Sequence, residues 1–284
     1  MSKPFDVEVN NSIAHIRFNR PEKRNSMNED FWNLFPKEVE GLDDSGEIRA
    51  LIVSSTGPHF SSGIDLNMFK DDVVEEQSEN ELGRSRGYFI QQLKYLQNAT
   101  NCLEAARFPV IAAIQGGCIG GGIDLVTAAD IRLCTKDAFF IIEEINVGLA
   151  ADIGTLQRLP KIIPAGIARE WAMMGEKVSA DRAKEVGLVS SLHDNQEGML
   201  ESAFEVAEKL VSKTPLAMWV TKEVLNYSRD HSVKEGLDNV NLWNAATLHK
   251  EDVMTTMMSK MQKKKPEYKN LRDKNFLKHK STKK

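Results

Sequence analysis

Three carboxylic acids stand in surroundings where an ionised side chain is costly. Asp124 follows five glycines within seven residues, Glu144 follows an apolar segment, and Asp152 lies within the sequence LAADIG. Each has an ordinary explanation: Asp124 could accept nearby backbone N–H groups, Glu144 could be exposed beside another glutamate, and Asp152 could cap the next helix. If the three cluster, like charge and low dielectric raise at least one pKa, so one carboxyl stays protonated while another acts as a base. The acids therefore predict proton-transfer chemistry.

Two glycine-containing turns could offer backbone donors to one cleft. Residues 60–66 (FSSGIDL) and 116–122 (GGCIGGG) each follow an apolar run typical of a buried strand. In an open α/β sheet, ligands bind beyond the carboxyl ends of the strands, where both turns would lie. The second turn does not fit the pattern G-x-G-x-x-G. It does not fit the Walker motif either, because Gly122 stands where that motif requires lysine. The N–H groups of the second turn could hold a phosphate or a developing oxyanion. Alternatively, its glycines could serve only to let a helix pack closely against the sheet. The pairing of the two turns favours acyl chemistry.

Nucleophilic, disulfide and zinc chemistry are not expected. Neither Ser61 nor Ser62 lies in a G-x-S-x-G sequence, and His59 is interpreted as a loop histidine. The cysteines lie far apart, without a C-x-x-C pair or a nearby histidine cluster, which favours a reducing environment. They are Cys102, Cys118 and Cys134.

The elements that position these residues alternate between strand and helix. Residues 6–18 predict a β-hairpin around two asparagines, and further strands are predicted at 50–54, 110–114, 131–134 and 138–142. Helical spacing of apolar residues predicts helices at 26–42, 88–106 and 123–130. The order indicates an α/β fold with repeated β-β-α units.

The last third of the chain is predicted to be mainly helical. The predicted helices cover residues 155–159, 167–174, 180–186, 199–213, 216–226 and 232–260. We predict an approximate boundary between two regions near residues 194–195. It separates an α/β core of residues 1–195 from a helical C-terminal region of residues 196–284. The apolar faces of that region are expected to pack on the core or on a neighbouring subunit.

Charge is distributed unevenly over the 284 residues. The net charge is −4, but residues 260–284 carry eleven Lys and Arg against two acids, which makes this tail +9 and the rest −13. The tail could be a solvated terminus or a patch that binds phosphates of a cofactor or of nucleic acid. An acidic segment at 71–81 is interpreted as a mobile surface loop. No apolar run is long enough to span a membrane, and no targeting signal is recognised.

Three segments resemble the signature sequences of the enoyl-CoA hydratase/isomerase (crotonase) superfamily. They are residues 19–25 (NRPEKRN), 60–66 and 116–122, in order and with family-like spacing. Residues 121–132 (GGIDLVTAADIR) and 147–161 (VGLAADIGTLQRLPK) resemble the Δ3,5-Δ2,4-dienoyl-CoA isomerases. The resemblance implies a crotonase-like spiral of β-β-α repeats with a helical C-terminal oligomerisation region, and an isomerase of unsaturated fatty-acid β-oxidation.

The resemblance also implies roles for individual residues. The backbone N–H groups of Ile64 and Gly121 would form the oxyanion hole for the thioester oxygen. Glu144 would remove the C2 proton, Asp152 would protonate C6, and Asp124 would support both. Neither a metal nor a bound cofactor is implied, because CoA is part of the substrate. Substrate-binding positions would be Ser62, Gly63, Ile64, Asp65, Leu66 and Gly121, with Lys23 and Arg24 as weaker candidates for the CoA phosphates.

Two other functions are weighed against isomerisation. Classical hydratases resemble this chain but carry Glu at the position of Asp124 and a small residue at that of Asp152, so a 2-enoyl-CoA hydratase is the first alternative. Some members resemble RNA-binding proteins, but the intact carboxylate trio argues against nucleic acid as the main partner. The family further implies a trimer or hexamer, with Leu242, Trp243 and Leu248 as candidate contacts, and a mitochondrial or peroxisomal location.

Overall fold

A computed structural model describes residues 3–69 and 81–274, which form two β-sheets surrounded by helices. The larger sheet has six strands in the order β1-β2-β3-β4-β6-β9, and all neighbours except β1 and β2 are parallel. The smaller sheet has the order β5-β7-β8. The strands are β1 Phe5–Asn10, β2 Ile13–Phe18, β3 Ala50–Ser55, β4 Val110–Ile114, β5 Gly117–Ile119, β6 Ile131–Thr135, β7 Phe139–Ile141, β8 Val178–Ser179 and β9 Ser191–His193.

The central strands are covered on both faces, as their continuous apolar sequences predict. Side chains alternate along β3, so Leu51 and Val53 join the main core, while Ala50 and Ile52 join a second core on the opposite face. Every residue of β3 and β4 is buried. A parallel sheet with two buried faces gives the turns beyond its strand ends a rigid base.

Ten helices lie in the part of the chain that the structure describes. None of them is both long and apolar enough to cross a membrane. They are α1 Glu29–Ser45, α2 Leu82–Ala105, α3 Gly121–Ala128, α4 Thr155–Ile162, α5 Ala165–Met174, α6 Ala180–Glu185, α7 Gln196–Val211, α8 Pro215–Arg229, α9 Val233–Thr247 and α10 Lys250–Gln262.

Helix α7 provides the cover for the second face of the sheet. Its Met199, Ala203 and Ala207 are fully buried against Ile52 and Ile111. The helical region after residue 195 therefore packs on the core at its first helix. The division into two regions at this point stays a prediction.

The sequence does not reveal several local features. The strands β5, β8 and β9 have two or three residues each, too few to show alternation. The helix predicted over 232–260 is interrupted at Leu248, which has ψ 109° without any glycine or proline to signal the break. The acidic segment at 71–81 lies almost entirely outside the described residues, as does the end of the basic tail.

The turn after β4 is shaped by a contact that only glycine permits. Gly116 has φ +54°, and a Cβ atom there would lie 1.9 Å from the carbonyl oxygen of Pro58. His59 Nδ1 accepts the N–H of Gly117 at 2.9 Å. His59 is therefore a loop histidine, as expected, and its side chain joins the turn after β3 to the turn after β4.

We expect Gly116→Ala to destabilise the protein by about 3 kcal/mol, because a side chain there meets backbone and the left-handed conformation is strained. Urea unfolding with a linear extrapolation measures this change. Gly166→Ala is the matched control, since Gly166 lies in α5 and a Cβ atom there would have no neighbour within 4 Å. The control is expected to be stabilised by about 0.5–1 kcal/mol. Equal effects of the two substitutions would contradict the close approach.

Candidate active site

The two glycine-containing turns meet at the carboxyl ends of β3 and β4. Ser61 N–H donates to Gly117 O at 3.1 Å, and Ile119 N–H donates to Ser61 O at 3.0 Å. Gly63 has φ +84°, and a Cβ atom there would lie 3.3 Å from Gly121 N. The turns therefore touch, and the strand that each follows fixes their separation.

Two backbone donors remain available where the turns touch. Ile64 N–H and Gly121 N–H donate to no acceptor within residues 3–69 and 81–274. Gly121 is the first residue of α3, whose opening N–H groups have no partners within the helix. The positive end of the helix dipole adds to the attraction for negative charge at this point.

Asp124 lies one turn into α3 and is 1% exposed. Its Oδ1 accepts the backbone N–H of Thr155, the first residue of α4, at 2.6 Å. The expectation that Asp124 bonds backbone N–H groups is confirmed. Burial nevertheless raises the pKa of Asp124 to about 6, helped by repulsion from Asp152 and opposed by hydrogen bonding from Thr155 and by the charge of Arg158.

Glu144 lies in a 3-10 helix, Glu143–Val147, that follows β7. It is half-buried beside the glycine turn, where a Cβ atom on Gly120 would lie 3.2 Å from its Oε1. Its Oε2 is buried and has no hydrogen-bond partner among the described residues. Burial, followed by repulsion from Asp124 and other acids, raises the pKa of Glu144 to about 7.

Asp152 lies in the loop before α4 and is more exposed than the other two acids. The explanation that it caps α4 is wrong, because the N-cap residue is Gly154. Partial burial raises the pKa of Asp152, and its charge in turn raises the pKa values of Asp124 and Glu144. The structure thus brings the three acids into one electrostatic group.

Asp65, one of the expected substrate-binding residues, ties the first glycine-containing turn to the segment that carries Arg20 and Ser26. Asp65 Oδ2 lies 3.2 Å from Arg20 Nη2, and its Oδ1 accepts the N–H of Asn67. Burial opposes ionisation of Asp65, but hydrogen bonds from Asn67, Arg20 and Ser26 outweigh it and lower the pKa. Leu66 is 72% exposed at the edge of the site.

Two supporting residues escape sequence reasoning. Thr155 acts through its backbone N–H, and its side-chain type carries no signal of that role. Arg20 belongs to the NRPEKRN segment, but the candidates in that segment are Lys23 and Arg24, whose side chains are both exposed. An arginine beside a tight turn can be assigned this role only when its carboxylate partner is known.

The chain belongs to the enoyl-CoA hydratase/isomerase family, whose sequence model matches residues 8–274. The expected crotonase-like α/β fold is confirmed by solved structures. An enoyl-CoA hydratase from Bacillus anthracis superimposes with a TM-score of 0.83 at 25% identity, covering 94% of this chain and 99% of that one.

Within the family, the chain is similar to Δ3,5-Δ2,4-dienoyl-CoA isomerases, which confirms the resemblance drawn from the sequence. The peroxisomal enzyme of Arabidopsis thaliana is 41% identical over 260 residues, which cover 92% of this chain and 94% of the relative. The mitochondrial enzyme of Rattus norvegicus is 42% identical over 253 residues, which cover 89% and 77% respectively.

The raised pKa of Glu144 predicts that the stability of the protein depends on pH. Folding raises this pKa from an ordinary 4.5 to about 7, so between those pH values the folded protein binds the proton more tightly than the unfolded chain. Stability is therefore lost as pH rises through this window. We expect Glu144→Gln to raise the free energy of unfolding by about 3 kcal/mol above the window and to change it little below.

Urea unfolding at a series of pH values measures this difference. Glu143→Gln is the control, because it removes from the same 3-10 helix an acid whose charge contributes least to the raised pKa of Glu144. A stabilisation by Glu144→Gln that is the same at all pH values would show that the effect is not electrostatic.

Proposed function

We propose that this protein is a Δ3,5-Δ2,4-dienoyl-CoA isomerase that acts in the β-oxidation of unsaturated fatty acids. The observation that carries the proposal is the group of three carboxyls with raised pKa values beside two unengaged backbone donors. Proton transfer needs the first feature, and an enolate intermediate needs the second. The similarity to isomerases over about nine-tenths of the chain supports the same reaction.

The backbone N–H groups of Ile64 and Gly121 would hold the thioester oxygen. As the C2 proton leaves, negative charge grows on this oxygen, and two fixed donors stabilise it more strongly than they stabilise the neutral carbonyl. Loss of one such donor typically costs about 3 kcal/mol of barrier. The position of Gly121 at the start of α3 supports this assignment, because the helix dipole acts in the same direction.

Glu144 would be the base and Asp152 the acid. Glu144 removes a proton from C2, and the electron pair shifts the double bonds from positions 3 and 5 to positions 2 and 4. C6 then takes a proton from Asp152. One proton leaves and one is gained, so Glu144 ends protonated and Asp152 ionised until solvent restores them. A base with a pKa of about 7 suits neutral pH.

Two features favour this shuttle over addition of water. Asp124 is one methylene, about 1.5 Å, shorter than the glutamate of classical hydratases, and its Oδ1 is occupied by the Thr155 N–H. A shorter carboxylate that already accepts a backbone N–H is less suited to binding a water molecule together with Glu144. Asp152 instead supplies a carboxyl further along the acyl chain.

The remaining assignments belong to the same proposal. Residues 62–66 would line the thioester end of CoA, and the exposed Lys23 and Arg24 are available to its phosphates. The reaction as written needs neither a metal nor a bound cofactor. Location in mitochondria or peroxisomes is proposed from the relatives, which are named as enzymes of one or the other.

A homo-oligomer, either a trimer or a hexamer, is also proposed. The C-terminal helices expose large apolar side chains that a subunit contact would cover. Leu242 and Leu248 are 72% and 74% exposed. Acyl-CoA is the proposed small-molecule partner, and nucleic acid is not expected to be one.

The proposal is tested by ultraviolet spectroscopy of the purified protein with a synthetic 3,5-dienoyl-CoA. We expect the conjugated 2,4-dienoyl product to appear, and Glu144→Gln to slow its formation by about 10²- to 10⁴-fold, the usual contribution of a general base. Glu143→Gln serves as the control and should retain the activity.

A parallel hydration assay with a 2-enoyl-CoA separates the alternatives. Dominant hydration with little isomerisation would make the protein a hydratase and would overturn the assigned role of Asp152. Activity in neither assay would overturn both enzymatic functions and favour a binding role for the basic tail.

A further inference from the structure

Helix α2 presents a row of polar side chains to the loop that carries Asp152. The row is spaced at i, i+3, i+4 and i+7, which places its members on one face of the helix. We name it the α2 polar stripe, and it consists of Gln97, Thr100, Asn101 and Glu104.

The first two members of the stripe bond consecutive backbone carbonyls of the loop. Gln97 Nε2 donates to Asp152 O at 2.7 Å. Thr100 Oγ1 lies 2.9 Å from Ile153 O and equally close to Gln97 O of its own helix, so its single proton is shared between the two carbonyls. Thr100 is fully buried. The two peptide groups that flank Ile153, the first of which joins Asp152 to Ile153, are thereby tied to a 24-residue helix rather than left to solvent.

The other two members act through Arg158 of α4. Glu104 Oε2 accepts from Arg158 Nε at 2.8 Å, and Asn101 Oδ1 accepts from Nη2 at 2.7 Å. The guanidinium fills the space next to Gly154, where a Cβ atom would lie 1.9 Å from Nη1. The loop therefore rests on a buried arginine that the same stripe holds in place.

We propose that the α2 polar stripe positions Asp152 for proton delivery, with Gln97 and Thr100 as positioning residues that touch neither the substrate nor the reacting atoms. Asp152 is the most exposed of the three acids, and its own side chain has no hydrogen bond to another described side chain that would orient it. Its carboxyl accepts a hydrogen bond from its own backbone N–H, and the bonds from α2 fix the backbone from which that carboxyl extends. This inference rests on the proposed function, in which Asp152 protonates C6.

The proposal predicts that loss of the stripe slows one half of the reaction. Removal of the C2 proton depends on Glu144 and the backbone donors, which the stripe does not contact. Delivery of a proton to C6 depends on the position of Asp152. When delivery is slow, the enolate returns to substrate by taking a proton back at C2, and in D2O this return can leave deuterium at C2.

The experiment measures both outcomes in one reaction. The intact enzyme acts on 3,5-dienoyl-CoA in D2O, and mass spectrometry of a partly converted sample gives deuterium in the remaining substrate and the amount of 2,4-dienoyl product. The variants are Gln97→Leu and Thr100→Val, with Thr100→Ser to restore the hydroxyl. Asn98→Ala is the matched control, because Asn98 lies next to Gln97 but bonds Glu40 of α1.

We expect Gln97→Leu and Thr100→Val to lower kcat for product about tenfold or more, with KM little changed, and to raise the ratio of exchange to product by a similar factor. Thr100→Ser and Asn98→Ala should keep the wild-type ratio. The ratio is measured within each sample, so a smaller folded fraction lowers exchange and product equally and leaves it unchanged.

The outcomes separate this inference from the function on which it rests. If the wild-type protein isomerises the substrate but exchange and product fall together in Gln97→Leu and Thr100→Val, the positioning role is wrong and the proposed function stands. If the wild-type protein forms no 2,4-dienoyl product, the proposed function fails and the inference fails with it.

Discussion

The hydrogen bond from Thr155 N–H to Asp124 Oδ1 connects the two halves of the candidate site. Asp124 lies three residues after Gly121 in α3, and Thr155 lies three residues after Asp152 at the start of α4. At 2.6 Å, with the carboxylate buried, the bond joins the helix that carries a backbone donor to the segment that carries an acid. Hydrogen bonds to charged groups contribute about 1.5–3 kcal/mol, which is enough to fix one short helix against another.

The rest of the fold supplies the rigidity that this arrangement needs. Three carboxyls that repel one another in a partly desolvated cleft destabilise the folded state, as the raised pKa values of Asp124 and Glu144 show. The compensation comes from elsewhere, in a parallel sheet buried on both faces and in helices that cover it. The buried strands β3 and β4 thus contribute stability, while the acids that repel one another lie outside this sheet, in α3, after β7 and before α4.

Sequence reasoning succeeds where a single residue type or a continuous run carries the signal. The sequence shows the apolar runs of β3 and β4, the two glycine turns and the three acids. Each is recognisable because its residue types have a direct physical consequence: apolar runs are buried, clustered glycines allow tight turns, and isolated acids are costly to ionise. The strands β5, β8 and β9 are missed because two or three residues show no period. Thr155 is missed because its role belongs to its backbone, and the α2 polar stripe because its partners lie some 50 residues away in the chain. Such contacts follow from tertiary packing, which a single sequence does not reveal.

Under the proposed assignment, the acids and the oxyanion hole together keep the net charge of the site constant during the reaction. When Glu144 takes the C2 proton, it loses its negative charge as the thioester oxygen gains one beside Gly121. When Asp152 gives its proton to C6, the charge leaves the oxygen and appears on Asp152. The site therefore holds the same net charge at each stage, and in a cleft of low dielectric this avoids the large cost of creating an additional ion. Asp124 does not change its charge in this sequence, so its fixed repulsion of Glu144 helps to keep the proton affinity of that base high enough to exchange protons with a carbon acid near neutral pH.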